Sequence, residues 1–333
     1  MVLKTVDAHV GGAAVRWLTD GFPSPSGKTM KSRAEWTAKH ADHIRRALCL
    51  EPRGHRDLIV GVLTEPVSDG AHAGMLFMSA DGYEPLSGHG VMALAALAGG
   101  RDALVVGTSA RALQFDTPAG PVSVVLERTE HSQAVTTRIR LPPSFPLLAG
   151  AGLTVGSRAV RVDVAFAAVF HLILDSESIG VPLDLVHLPE LRRAAIEAVR
   201  AADASLRLSH PQYPQANRVE SVVFTGPSRD ESCVFRLVAV TRSGRVDWCP
   251  SITGTAAVMS VLDAMGLVAD ERQVLRWEGL VPGVTGVAGV LGRTTIGDQP
   301  ALQAEVMAEC WTTGEHQFLL ADDDPCRFGV VSA

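Results

Sequence analysis

Apolar residues along this chain fall into short blocks that predict two kinds of element. Mainly apolar, β-branched-rich runs at Leu58–Leu63, Met75–Met78, Val122–Leu126, Val162–Phe166, Ser221–Phe224 and Val234–Val240 predict strands. Helix signals alternate with them. Ser32, with Glu35 three residues on, reads as a capping box ahead of Trp36–Leu50, and Pro189 opens a helix over Glu190–Ala202. Gly266 stands where a helix begun after Ser251 would end in a left-handed cap. The pattern is an α/β alternation. Its one proline-rich break, Pro142-Pro143-Ser144-Phe145-Pro146, is the expected seam where the chain crosses between halves.

One local pattern occurs twice, about half a chain apart. Ser87-Gly88-His89-Gly90 opens the run Val91–Ala98, and Ser251-Ile252-Thr253-Gly254 opens Thr255–Leu262. Each is a serine, a glycine within three positions, and an apolar stretch of helical length. Serine is a common helix cap, and capping alone accounts for either residue. The first turn of a helix also carries N–H groups without intrahelical partners and a partial positive charge. Two such turns facing each other make an anion cradle with a hydroxyl on either side, suited to a small carboxylate. A repeat at this spacing predicts two related halves.

Composition narrows the field. The 333 residues carry a net charge of -6, with no basic patch to recommend nucleic acid or an anionic membrane as partner. No apolar run reaches bilayer-spanning length, and the first residues lack the pattern of a secretory leader. Cysteines at 49, 233, 249, 310 and 326 form no CxxC and no metal-ligand spacing, so they read as reduced thiols of a cytoplasmic protein. Pro85 and Cys249 stand where a GxSxG elbow needs glycine. The glycines at 283, 286, 289 and 292 come too late for a dinucleotide fingerprint and read as loop or bulged-strand positions.

Five segments, two of them holding these serines, carry a resemblance: Asp7-Ala8-His9-Val10-Gly11-Gly12, Glu51-Pro52-Arg53-Gly54-His55-Arg56-Asp57, Leu86-Ser87-Gly88-His89-Gly90, Asp247-Trp248-Cys249-Pro250-Ser251-Ile252-Thr253-Gly254-Thr255, and Asp322-Asp323-Asp324-Pro325. In this order they resemble the proline racemase family, which includes proline racemases, 4-hydroxyproline 2-epimerases and trans-3-hydroxy-L-proline dehydratases. The resemblance implies a diaminopimelate epimerase-like fold of two α/β domains related by a pseudo-twofold, each a curled sheet around a central helix. The domains are expected at 1–146 plus 303–333 and at 147–302. It implies chemistry without cofactor or metal: removal of the Cα proton from proline or hydroxyproline, with the carboxylate on the two helix N-termini. The partner is a small molecule, and a homodimer is compatible with the family. Ser87 and Ser251 take the catalytic positions. Gly88, His89, Gly90, Asp247, Thr253, Gly254, Thr255 and His55 take substrate-binding ones, with Asp247 receiving the ring amine.

The chain departs from the family where the bases stand, since the racemases are expected to have cysteine at both serine positions. A thiol titrates near 8.5 and lower at a helix N-terminus, whereas a hydroxyl needs another group to take its proton. Dehydration asks for one base and one donor, and Asp42-His43-Ile44-Arg45-Arg46 resembles the dehydratase branch, which favours a lyase. Racemisation or epimerisation, and binding without catalysis, are the alternatives. Cys249 offers a displaced thiol in principle, but the two-residue shift carries it along the strand, and burial accounts for it better. The segment Ala167-Ala168-Val169-Phe170-His171 differs from the family pattern and bears on substrate identity. His55 and Asp57 belong to a polar cluster that could line the pocket, and Arg53 and Asp57 could equally form a structural ion pair.

Overall fold

Strands dominate the chain. The computed structural model describes residues 1–99, 112–128, 132–249, 251–268 and 273–330, and among them are seventeen strands and five helices. They form two units, Met1–Ile139 with Glu309–Ala333, and Arg140–Ala308.

In the first unit β1 (Val2–Val10) and β2 (Ala13–Asp20) form an antiparallel hairpin. Helices α1 (Met30–His40) and α2 (Asp42–Cys49) lead to β3 (Ile59–Thr64), which lies parallel to β2. Strand β4 (Ala73–Ser79) returns antiparallel to β3 and pairs with the short β5 (Gly82–Glu84). Helix α3 (Gly88–Gly99) follows, then β6 (Ala112–Thr117) parallel to β4, β7 (Gly120–Arg128) antiparallel to β6, and β8 (Val135–Arg140). Residues 88–98 of α3 are all buried, and the helix packs on β1, β2, β3 and β7. An apolar helix that meets strands on several sides lies inside the curl of its sheet.

The second unit repeats this connectivity. Strands β9 (Phe145–Val155), β10 (Arg158–Ala167) and β11 (Val169–Asp175) run antiparallel in turn. Helix α4 (Leu188–Ser205) crosses to β12 (Val219–Gly226), parallel to β11. Strand β13 (Phe235–Thr241) returns and pairs with the short β14 (Val246–Asp247), and α5 (Ile252–Ala264) follows. Strand β15 (Val274–Glu278) is parallel to β13, β16 (Thr285–Ile296) antiparallel to β15, and β17 (Gln299–Leu319) antiparallel to β16. Helix α5 packs on β9, β10 and β11 with most of its length buried. Each serine thus follows a two-strand hairpin and opens the buried helix of its unit.

The structure corrects several sequence readings. The helix expected over Trp36–Leu50 is two helices: Thr29, not Ser32, caps α1, and Ser32 is the third helical residue, bonded back to Thr29. The break at Ala41 is tertiary in origin. Tyr83 on β5 donates its hydroxyl to the Thr37 carbonyl, and Arg45 of α2 holds the Ser79 and Ala80 carbonyls of the same hairpin. The first unit ends at Ile139 and resumes at Glu309, where 146 and 303 were expected. Ser144 bears on the first of these: it bridges to Leu302 through both backbone groups and so ties the proline-rich segment to the second unit. Gly266 does end α5, with φ +73° and its N–H on the Asp263 carbonyl. Gly286, Gly289 and Gly292 lie in β16, whose register shifts between Val290 and Gly292. Pro250 lies outside the described residues.

Candidate active site

Both serines are helix N-caps with the same geometry. Ser87 Oγ accepts the Gly90 N–H at 3.2 Å and its carbonyl accepts the Val91 N–H at 2.9 Å. Ser251 Oγ accepts the Gly254 N–H at 3.2 Å and its carbonyl accepts the Thr255 N–H at 2.7 Å. Capping occupies one acceptor site of each hydroxyl and fixes where the oxygen points, leaving the O–H and the remaining lone pair for chemistry. Both serines are buried.

The glycine in each pattern is explained by proximity. A Cβ on Gly90 would sit 2.7 Å from Phe77 Cε1 and 2.9 Å from Ser87 Oγ; one on Gly254 would sit 2.9 Å from both Ser251 Oγ and Val223 Cγ2. Neither helix carries an acidic residue in its first turn. The amides of Gly88, His89, Ile252 and Thr253, which have no acceptor within their helices, therefore present positive ends that suit an anion.

The two turns differ in what stands beside the hydroxyl. His89, buried, brings Nε2 to 3.4 Å from Ser87 Oγ, so the first turn holds a hydroxyl next to a group able to take its proton. Near the second turn stands Asp247, half-buried on β14. Cys249 is buried, which with the Asp247 charge pushes its thiol well above the ordinary range. It is a protonated core residue rather than a displaced base. Gly254 and Thr255 are buried in the first turn of α5 and Thr253 half-buried. His55 is exposed on the loop before β3, where its Nδ1 accepts the Asp57 N–H at 3.3 Å.

Other motif residues have structural roles. Arg53 gives its guanidinium to Asp324 at 2.7 Å and to the carbonyls of Cys326 and Arg327. Two segments far apart in sequence are thus one clamp holding the C-terminal segment, in place of the expected Arg53/Asp57 pair. Asp7 likewise serves Arg16, which reaches on to the carbonyls of Leu48 and Arg53.

Sequence reasoning passed over His171 as a site residue. This β11 histidine is 2% exposed, with Nε2 3.3 Å from the Ala167 carbonyl. Burial pushes its imidazole down to about 4, against the upward pull of that carbonyl and of the Asp247 carboxylate. The signal available was a histidine ending the divergent segment that begins at Ala167.

The fold and the paired turns define a class: α/β proteins with two like units, each opening its buried helix on a capped, anion-seeking turn. The chain matches the proline racemase family over residues 5–331 and belongs to it. It is 31% identical over 331 residues to the 3-hydroxyproline 2-epimerase of Burkholderia multivorans and to the trans-3-hydroxy-L-proline dehydratase of Burkholderia cenocepacia, covering 99% of this chain and 98% of each relative. The proline racemase of Acetoanaerobium sticklandii is 26% identical, with the same coverage of both chains. In fold it superposes on a hydroxyproline epimerase from Agrobacterium vitis with a TM-score of 0.89, covering 99% of this chain and 95% of that one at 24% identity. A PhzF-family phenazine biosynthesis protein of Bacillus anthracis shares the fold at a TM-score of 0.64 and 11% identity. The protein is an enzyme of the proline racemase family. No helix among the described residues is long and apolar enough to cross a membrane.

Proposed function

We propose that this enzyme removes the Cα proton of a hydroxyproline without a cofactor, and that its reaction is the dehydration of trans-3-hydroxy-L-proline. The observation that carries the reading is the Ser87 Oγ to His89 Nε2 approach of 3.4 Å in a buried, positively polarised turn. It gives the first turn a hydroxyl base with a proton acceptor behind it. Ser87 takes the Cα proton and passes its own to His89. The C–H electron pair forms the C2–C3 double bond as the C3–O bond breaks, and the departing hydroxide, on the same ring face as the Cα hydrogen in the trans isomer, takes the proton held by the Ser87–His89 pair, while Ser251 orients the ring. One base and one donor suffice, so the absence of thiols at the two positions is no obstacle. Asp247 receives the ring amine, and the helix amides hold the carboxylate. The dehydratase name of a relative at 31% identity supports this reading. The 3-hydroxyproline 2-epimerase at the same identity supports a second, in which the proton returns to the opposite face.

Incubation in D2O with trans-3-hydroxy-L-proline, trans-4-hydroxy-L-proline and L-proline, followed by NMR, separates the outcomes. Loss of water supports the dehydratase, exchange with inversion the epimerase, and binding without exchange a silent binder. Ser87→Ala should abolish Cα exchange, whereas Ser251→Ala should keep some exchange and slow the loss of water. Exchange that survives Ser87→Ala and vanishes in Ser251→Ala reverses the two roles.

A further inference from the structure

His171 is buried in β11, yet among the described residues only one of its ring nitrogens has a partner. Nε2 lies 3.3 Å from the Ala167 carbonyl, which can only accept, so Nε2 carries the hydrogen and Nδ1 is left with a bare lone pair. That Nδ1 atom is buried and has no hydrogen-bond partner among the described residues. Leaving a buried acceptor unmatched costs free energy, so such a group is expected to meet a donor in the working state of the protein. The ring cannot supply a donor by taking a second proton, because burial holds it neutral. The nearby charge is that of Asp247, close enough for its carboxylate to act on the imidazole. Two acceptors, one anionic and one neutral, therefore stand in the same region of the second unit, and Asp247 lies four residues ahead of Ser251.

A group that donates to both brings two N–H bonds, and a positive charge on it matches the carboxylate. A ring secondary ammonium has this valence: one N–H for the carboxylate and one for the imidazole. We infer that His171 Nδ1 and the Asp247 carboxylate form the acceptor pair for the two N–H bonds of the substrate's ring ammonium, making His171 a residue that selects secondary cyclic amines. This rests on the reading of function above, and it extends that reading to a residue the motif pattern does not mark.

The test compares L-proline with N-methyl-L-proline, whose ammonium keeps one N–H, by calorimetry on wild type, His171→Phe and His171→Asn. Loss of a hydrogen bond to a charged group predicts that His171→Phe weakens L-proline at least about tenfold and N-methyl-L-proline little. His171→Asn, whose Oδ1 stands near the place of Nδ1, should recover most of the difference. Equal losses for both ligands would show that His171 acts only through packing and would overturn the proposal. Should the variants not fold, 15N NMR of the wild-type protein decides. Saturating L-proline should move the unprotonated His171 nitrogen upfield, and an unmoved resonance refutes the contact. Wild-type protein that binds none of L-proline, trans-3-hydroxy-L-proline or trans-4-hydroxy-L-proline would instead refute the functional reading, and this assignment with it.

Discussion

Replacing Gly90 by alanine sets two physical effects against each other at the candidate base. Alanine in a helix is favoured over glycine by about 0.5–1 kcal/mol, because less backbone freedom is lost on folding. Against this, the new Cβ would lie 2.7 and 2.8 Å from Cε1 and Cδ1 of Phe77 and 2.9 Å from Ser87 Oγ. Phe77 is 1% exposed and has no room to retreat without disturbing the β4 core. Overpacking of this kind costs about 1–3 kcal/mol, so the clash wins, with a net loss of about 1–2 kcal/mol. At about 2–4 °C per kcal/mol for a domain of this size, the melting temperature should drop by about 2–8 °C. The second consequence is chemical. Relief of the clash pushes Ser87 Oγ away from the Gly90 amide and changes its approach to His89, so Cα exchange in D2O should fall further than the loss of stability accounts for. Gly152→Ala in β9 is the control: its Cβ meets nothing within 4 Å, and stability should hold or rise. If Gly90→Ala melts at or above the wild-type temperature with exchange intact, the close approach assigned to this turn is wrong.

Three other outcomes follow from the geometry. His171 titrates near 4 when folded and near 6.5 in an unfolded chain, so between these values the unfolded state binds the extra proton. Its contribution is complete above about pH 6.5 and declines by about 3 kcal/mol as the pH falls to about 4; urea unfolding at pH 7 and pH 4.5 should show this decline reduced in His171→Phe. Arg236→Met strands the buried Glu278 carboxylate, which Arg236 meets at 3.0 and 3.2 Å, and should cost about 3 kcal/mol in the same assay. Ala168→Gly relieves a non-glycine residue held at φ +63° and should stabilise the fold by about 1 kcal/mol, read as a higher melting temperature.

What the sequence alone determined is local. The serine three residues ahead of a glycine, followed by an apolar run, specifies a capped helix start, and both copies of the pattern form it, at Ser87 and Ser251. The left-handed cap at Gly266 is likewise a property of a few neighbouring residues, as are strands such as β4, β10 and β12, whose apolar residues stand close together. These features follow from backbone freedom, capping and burial acting over a single turn or strand. Tertiary structure decided whatever depends on a partner distant in sequence. Trp36–Leu50 carries helical signals throughout, yet the β4–β5 hairpin supplies the contacts around its break at Ala41. Arg53 has a carboxylate four residues away at Asp57, but the folded chain brings it Asp324. Asp247 was legible through its motif. His171 was not, because an imidazole's protonation and unmet valence depend on which carbonyl, carboxylate and core side chains the sheet folds around it.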